Sequence, residues 1–321
     1  MKTKRQMTIA ALAVAICCAG FGLRAQEIPT NGNHISHKIA VMLVGHGSRS
    51  ATWRQALLDM EASVRPAILT NPSIQEIKTA FMEYTEPSIA TRLKELDREK
   101  FADVIIVPVF LTISPHTFDD IPTIIGEKAD PQSLETMRLE NIERYQPKAH
   151  VIIAPNLDFS GVLRTNVLRR VRALSTKPTE EGVVLIAYGD TTYAREWSNL
   201  LDSVGVYVKE NTGIDTYDYG WCGHIVHYDP KKTTEAVEKI LQTKAKALVI
   251  PVLVAKDEEF QIKIIGGGIG QMANNATRVI YKPDAILPDP GVERWVIAIS
   301  RKLAANVQSE PGKPALRQVQ P

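Results

Sequence analysis

The sequence predicts an α/β protein built as two tandem domains, each a small parallel β-sheet flanked by helices, the two related by internal duplication. Three observations predict it. Short runs rich in Val, Ile and Leu and bounded by turn residues, Ile39 to Gly45 and Ala102 to Leu111 among them, read as strands buried on both faces. Segments with helical spacing alternate with these runs, the pattern of a sheet covered on both sides. The same order then recurs. Leu57-Leu58-Asp59 matches Leu200-Leu201-Asp202, and ADVIIVPVFLT at Ala102 matches AKALVIPVLVA at Ala245, both at an offset of 143 residues. Further on, VIIAPN at Val151 resembles VIYKPD at Val279 across a shortened interval.

Residues 1–25 stand apart. Lys2, Lys4 and Arg5 precede an apolar run from Met7 to about Phe21, and Leu23-Arg24-Ala25 follows, the layout of a secretory signal peptide cut near Ala25. The run falls short of the roughly 20 residues needed to cross a bilayer, so no stable membrane span is expected and the mature chain is expected to be exported, as to a periplasm. Cys17 and Cys18 lack the small preceding residues that lipid attachment prefers. Removal of the leader leaves Cys222 alone, and one cysteine makes no internal disulfide.

Residues 26–37 are polar and turn-rich, a flexible lead. The first domain is expected over 38–176. Its first strand runs from Ile39 toward Arg49, and a helix follows from Ser50 to Arg65, with Trp53, Leu57, Met60 and Val64 at helical spacing and with Pro66 and Asn71-Pro72 stopping it. Ile74 to Met82 is the second strand, Glu86-Pro87-Ser88 opens a helix ending near Glu99, and Asp103 to Leu111 is the third strand. A helical region near Phe118 to Lys128, a polar stretch, a strand at His150 to Ala154 and a basic helix at Gly161 to Ala173 complete it. A linker around Ser175 to Gly182 leads into the second domain, 177–308, and residues 309–321 form a Pro-containing tail.

Composition removes several function classes. A content of 44% hydrophobic and 23% charged residues suffices for two cores and excludes a disordered chain. The net charge of +2, with no basic cluster interleaved with aromatics, argues against nucleic acid as a partner and leaves a small anionic ligand open.

The chemistry gathers at strand ends, the edge of an open α/β sheet where ligands bind. The first strand ends in Gly45-His46-Gly47-Ser48, the second in Phe81-Met82-Glu83, and the third leads to His116. Two imidazoles and a carboxylate make an open metal site, with positions left for another molecule. The bland alternative is that His46 caps a helix start and His116 marks a turn. Glu86 rivals Glu83, although its place before Pro87-Ser88 fits first-turn electrostatics. In the second domain the counterparts read Ala187-Tyr188-Gly189-Asp190 and Asp257-Glu258-Glu259, and no F-x-E segment precedes Trp221-Cys222-Gly223-His224. That copy is expected to form a lid or second wall, with Tyr188, Trp221 and His224 as candidate contacts to a flat ligand. A second metal site from His227, Glu258 and Glu259 is an alternative. GGGIG at Gly266 to Gly270 follows a charged helix-like segment rather than a strand, so it fails the context of a dinucleotide loop.

GHGSR, FMEYTEPS and VPVFLTISPHTFDDIP together resemble the small cobalt and iron chelatases that act on sirohydrochlorin, and APNLD after the fourth strand does too. The resemblance covers the first half, and the duplicated layout resembles the longer two-domain members, so two chelatase-like domains are implied. It implies His46, Glu83 and His116 as metal ligands, and these are the catalytic candidates; one histidine or the carboxylate can accept protons, and His46 is expected to serve as ligand and base. It implies a divalent metal ion as substrate, Co²⁺ first and Fe²⁺ or Ni²⁺ next, a tetrapyrrole partner and no organic cofactor. Sirohydrochlorin carries many carboxylates, for which Ser48, Arg49, Ser114 and Thr117 are candidate donors beside Tyr188. Two other readings remain open at this level: an exported carrier of metal or tetrapyrrole without turnover, and a phosphoryl-transfer enzyme with a nucleophilic histidine, for which only Arg49 and Arg54 offer phosphate-binding charge near the site.

Overall fold

Residues 38–309, except 113, 158–160 and 274, are described by the computed structural model; the expected signal peptide, the lead and the tail beyond 309 lie outside the described residues. The first half runs β1 (Ile39–Gly45), α1 (Ala51–Ile68), β2 (Ile74–Phe81), α2 (Ile89–Arg98), β3 (Asp103–Pro108), α3 (Ile121–Ile124), α4 (Pro131–Glu140), β4 (His150–Ile153) and α5 (Val162–Leu174). The second runs β5 (Glu181–Ala187), α6 (Ala194–Asn211), β6 (Tyr217–Trp221), α7 (Pro230–Thr233), α8 (Glu235–Leu241), β7 (Lys246–Val252), α9 (Gly267–Gln271), α10 (Asn275–Arg278), β8 (Val279–Tyr281) and α11 (Pro290–Ser309).

All strand pairs are parallel, and the two four-stranded sheets have the same order, β2-β1-β3-β4 and β6-β5-β7-β8. Both α1 and α6 are 18 residues long and begin at the same offset that relates the sequence matches. Side chains alternate along β1 as the pleat requires: Ile39, Val41 and Leu43 face one core, Ala40, Met42 and Val44 the other. The outer core of the first sheet is closed by Ile89, Leu93 and Leu96 of α2 with Ile121 and Ile124. The inner core continues from the first sheet through Leu57, Val64 and Val167 to Val183, Leu185 and Ile250 of the second, so one apolar cluster joins the halves.

The last helix of each half packs on the other half. Arg170 of α5 is 7% exposed, donates to the Pro251 carbonyl of β7 (2.8 Å) and pairs with Asp284, while Asn166 donates to the Ile286 carbonyl (3.2 Å). In the reverse direction, α11 lies against α1 and β3, and its Arg301 donates to the Ala67 carbonyl (2.7 Å) and to Thr70 (2.9 Å).

Several boundaries differ from the expected ones. The helix expected to stop at Pro66 runs on to Ile68, because proline there costs one amide in the last turn while Ile68 gains full burial beside Val64. The third strand ends at Pro108 rather than Leu111. The helical region after it opens as a wide π-turn, His116–Asp120, before the short α3. The polar stretch that follows contains α4: Asp130 accepts from the Ser133 amide, Pro131 opens the helix and Asn141 closes it in a left-handed conformation. The linker is shorter than expected, since Glu181 and Gly182 belong to β5, and the fully buried Glu181 carboxylate accepts from Ser175, Thr176 and Lys177. GGGIG is helical, ending one helix turn and forming most of α9. Among the described residues no helix is long and apolar enough to cross a membrane.

Candidate metal centre at the strand ends

The order β2-β1-β3 sets three carboxyl-terminal strand ends side by side. Pairing continues past the first two, with the Met82 amide donating to the Gly45 carbonyl (3.0 Å) and the Glu83 amide to the His46 carbonyl (2.8 Å), so those two side chains leave adjacent backbone positions. Gly47 then turns the chain with φ +98°, and a Cβ at that residue would lie 2.1 Å from the Glu83 carbonyl oxygen. Beyond β3 the π-turn begins at His116.

The structure brings the three expected ligands together: one ligand atom each from His46, Glu83 and His116 all lie within 4.8 Å of one another. His46 Nε2 is 3.8 Å from Glu83 Oε2, and the two imidazole rings meet edge-on at 4.7 Å between centroids. The side chains of the two histidines are about one-third exposed, 33% and 31%, whereas Glu83 is 7% exposed, so the carboxylate is the deepest of the three groups. With its proton on Nδ1, His46 donates to the Gly47 carbonyl (3.1 Å), and His116 Nδ1 lies 2.7 Å from Asp120 Oδ2; both arrangements leave Nε2 with its lone pair free.

Desolvation, then the neighbouring His116, pushes the His46 imidazole down to about 4, so it is neutral near pH 7. Burial raises the Glu83 carboxyl above its ordinary range. Asp120 is also disfavoured by burial, yet the hydrogen bond and charge of His116 hold it below the usual value. Tyr84, desolvated and beside Glu83, is pushed up to about 12, and its ring lies 5.8 Å from that of His46. Two imidazole nitrogens and a carboxylate oxygen suit a borderline divalent cation.

The other expected contacts are arranged differently. Arg49 is exposed, its guanidinium 5.2 Å from the centre of the Tyr84 ring. The Ser48 hydroxyl donates to Asp257 Oδ2 of the second half (2.7 Å), and Arg54 donates to the Ser48 carbonyl (2.7 Å). Ser114 and Thr117 are buried; the Ser114 carbonyl accepts from the Thr117 amide, and the Thr117 hydroxyl meets Asn156 inside the protein. Glu86 accepts from the Ser88 amide (2.6 Å) at the start of α2 and is absent from the trio. Tyr188 follows β5 as His46 follows β1, but its ring packs against His224 and Phe260, and its hydroxyl lies 3.0 Å from that of Tyr228. Trp221 instead sits in the aromatic cluster with Trp197 and Tyr219.

Strand register explains why the described residues of the second half hold no equivalent trio. Phe81 pairs with Gly45 and Trp221 with Ala187, so Gly223 holds the place of Glu83. A Cβ at Gly223 would lie 2.6 Å from the Tyr188 carbonyl and 2.8 Å from its ring, which fills the volume a carboxylate would need. His227, Glu258 and Glu259 form no metal-holding group among the described residues. A separate cavity of about 1080 Å³ lies between α1, α5 and the segment 282–288, and the trio does not line it. Sequence reasoning passed over Asp120 and Asp257. The first could have been found as a carboxylate four residues from His116; the second heads the Asp257-Glu258-Glu259 segment, but nothing in the sequence pairs it with Ser48, 209 residues away.

The CbiX family profile matches residues 40–174. The sirohydrochlorin cobaltochelatase of Methanococcoides burtonii is 34% identical over 101 residues, 32% of this chain and 72% of that protein. Its counterpart from Methanopyrus kandleri is 33% identical over 88 residues, 27% of this chain and 59% of that protein. Among solved structures, SirB from Bacillus subtilis with Fe³⁺ superposes with a TM-score of 0.63 at 17% identity, covering 85% of this chain and 98% of that one, which shows a shared fold. A cobalt complex of a sirohydrochlorin chelatase SirB, also from Bacillus subtilis, gives 0.60 at 16% identity over the same shares. A first half that matches a cobaltochelatase over most of its length, set in a fold shared by whole chelatase chains, makes this protein a member of the CbiX-type sirohydrochlorin chelatase family of enzymes.

Proposed function

We propose that this chain inserts a divalent cation, Co²⁺ ahead of Fe²⁺ or Ni²⁺, into sirohydrochlorin or a related tetrapyrrole, with His46, Glu83 and His116 as its metal ligands. The observation that carries the reading is the gathering of two half-buried imidazoles and a buried carboxylate within 4.8 Å at one sheet edge. Insertion exchanges one cation for two pyrrole N–H protons, so the site must present a cation loosely and take up protons. Three borderline ligands hold the ion while leaving positions through which macrocycle nitrogens displace them. His46, neutral near pH 7, binds without first losing a proton, and as the ion departs it can accept one from the macrocycle. Glu83, whose burial favours the protonated acid once the cation has left, is the second acceptor.

Arg49, exposed beside Tyr84, is the donor best placed for a carboxylate of the macrocycle. The second half serves as the far wall, with Tyr188 and Tyr228 as its aromatic face. We read the halves, 38–176 and 177–308, as copies of one ancestral domain, a reading supported by their equal strand order. The chain is further proposed to act after export, on the strength of the basic and apolar leader in residues 1–25. That leader also favours a second reading, an exported carrier of metal or tetrapyrrole.

The test is anaerobic absorbance spectroscopy of the chain from Gln26 onward with sirohydrochlorin and Co²⁺. Metallation faster than the uncatalysed rate, and lost in His46→Ala and His116→Ala, is expected. Activity retained in both variants would refute the assignment, and stoichiometric binding without repeated turnover would favour the carrier.

A further inference from the structure

We propose that the second half, whose described residues hold no metal trio, sets the separation of His46 and His116 by holding the loop of each, with Asp257 and Tyr193 as positioning residues. This rests on the metal-insertion reading of the trio. Two independent contacts carry it. Two residues after His46, the Ser48 hydroxyl donates to Asp257 Oδ2 at 2.7 Å. Two and three residues after His116, Phe118 stacks on Tyr193 at 6.5 Å and 28° between planes, and the Tyr193 hydroxyl reaches Asp119 Oδ2 at 3.4 Å.

Both anchors are themselves fixed. The Asp257 amide donates to Gln261 Oε1 (2.9 Å), its Oδ1 accepts from the Glu259 amide (3.0 Å), and Gln261 is fully buried, with its amide donating to the Ala255 and Asp284 carbonyls. The Tyr193 amide donates to Asp190 Oδ1 (2.8 Å). Asp190 ends the AYGD segment that replaces GHGS, and Asp257 begins the DEE segment that stands where the first half has its second histidine. The segments that diverged from ligand chemistry are therefore those that reach the ligand loops of the first half. Since Gly47 alone separates His46 from Ser48, and turns with a positive φ, a shift of Ser48 is transmitted directly to the His46 backbone.

The experiment uses the full chain and Co²⁺ alone, followed by the visible absorption of the bound ion and by its Kd. Ser48→Ala and Asp257→Ala are each expected to weaken binding about 10-fold, the lower end of losses seen when groups behind metal ligands are removed, and to shift the spectrum. The double variant is expected to be no worse than either single one. In Asp257→Asn the one amide oxygen can keep the Glu259 amide while the NH2, in the place of Oδ2, donates to the Ser48 hydroxyl oxygen, so the variant is expected to restore binding. Tyr193→Phe, which keeps the stack and drops the hydroxyl, is expected to give a smaller shift. Melting curves identify any variant that fails to fold, and Ser48→Ala removes the same bond from a partly exposed hydroxyl if Asp257→Ala is lost. Wild-type spectra and Kd in both Ser48→Ala and Asp257→Ala, with binding abolished in His46→Ala, would overturn the positioning role and leave the metal site standing. Binding unaffected by His46→Ala would instead overturn the metal reading itself.

Discussion

His46 meets a cation as a neutral base, and its acid behaviour follows from its surroundings. An imidazole pushed from 6.5 to about 4 is protonated first in the unfolded chain, so stability attributable to it is present above 6.5 and drains away as pH falls toward 4. Solvent access to a third of the side chain screens the effect and keeps it small. Glu83 acts in the opposite sense: its raised pKa makes ionisation unfavourable to the folded state as pH climbs past 4.5. The stability difference between wild type and His46→Asn is therefore expected to shrink from pH 7 to pH 5 in urea unfolding, and an unchanged difference would contradict the desolvated imidazole. Asp120 is the other residue-scale lever. Without its carboxylate the His116 ring loses the partner that orients it, and Asp120→Ala is expected to weaken Co²⁺ binding about 10- to 100-fold, measured by metal titration at pH 7. Of these groups, His46, Glu83 and His116 were legible as strand-end residues, whereas the partner that orients His116 was not singled out.

At the scale of elements, the site is a product of strand order. Parallel pairing of β1 with both β2 and β3 makes three sequence-distant ends neighbours, and Gly47 lets the first loop pass under the Glu83 carbonyl. Gly47→Ala forces a side chain into that carbonyl in a backbone region L-residues avoid. It is expected to cost about 2 kcal/mol or more and to impair Co²⁺ binding; denaturation and metal titration comparable to wild type would refute the close approach. Strands were readable because burial on both faces leaves uninterrupted apolar runs. Helix α4 was not, because only Ser133 and Met137 of its residues are buried and its start depends on the Asp130 cap.

For the whole molecule, the exchange of terminal helices matters most. Val292, Val296, Ala304 and Val307 of α11 lie in the core shared by both sheets, and Arg301 binds the end of α1. Deleting residues 290–309 uncovers that face, and at about 1.5–3 kcal/mol for each large aliphatic side chain the loss is of the order of the stability of a whole domain. The truncated chain is expected to show a much lower urea midpoint and exposed apolar surface by dye binding. A midpoint equal to that of the full chain would show that α11 is dispensable. The recurring order of strands and helices does not announce this exchange, since a helix shows which of its faces is apolar but not which sheet will cover it.

By itself the sequence determined what is local or periodic: the α/β class, the recurrence of the strand and helix order, and three ligand-type residues at strand ends. Those follow from pleat and helix spacing, which neighbouring residues impose on one another. Tertiary structure alone decided what depends on distant segments meeting: the 4.8 Å gathering of the trio, the depth of Glu83, the bond from Ser48 to Asp257 and the exchange of α5 and α11. Burial and hydrogen-bond partners are properties of the packed chain, and no single segment carries them.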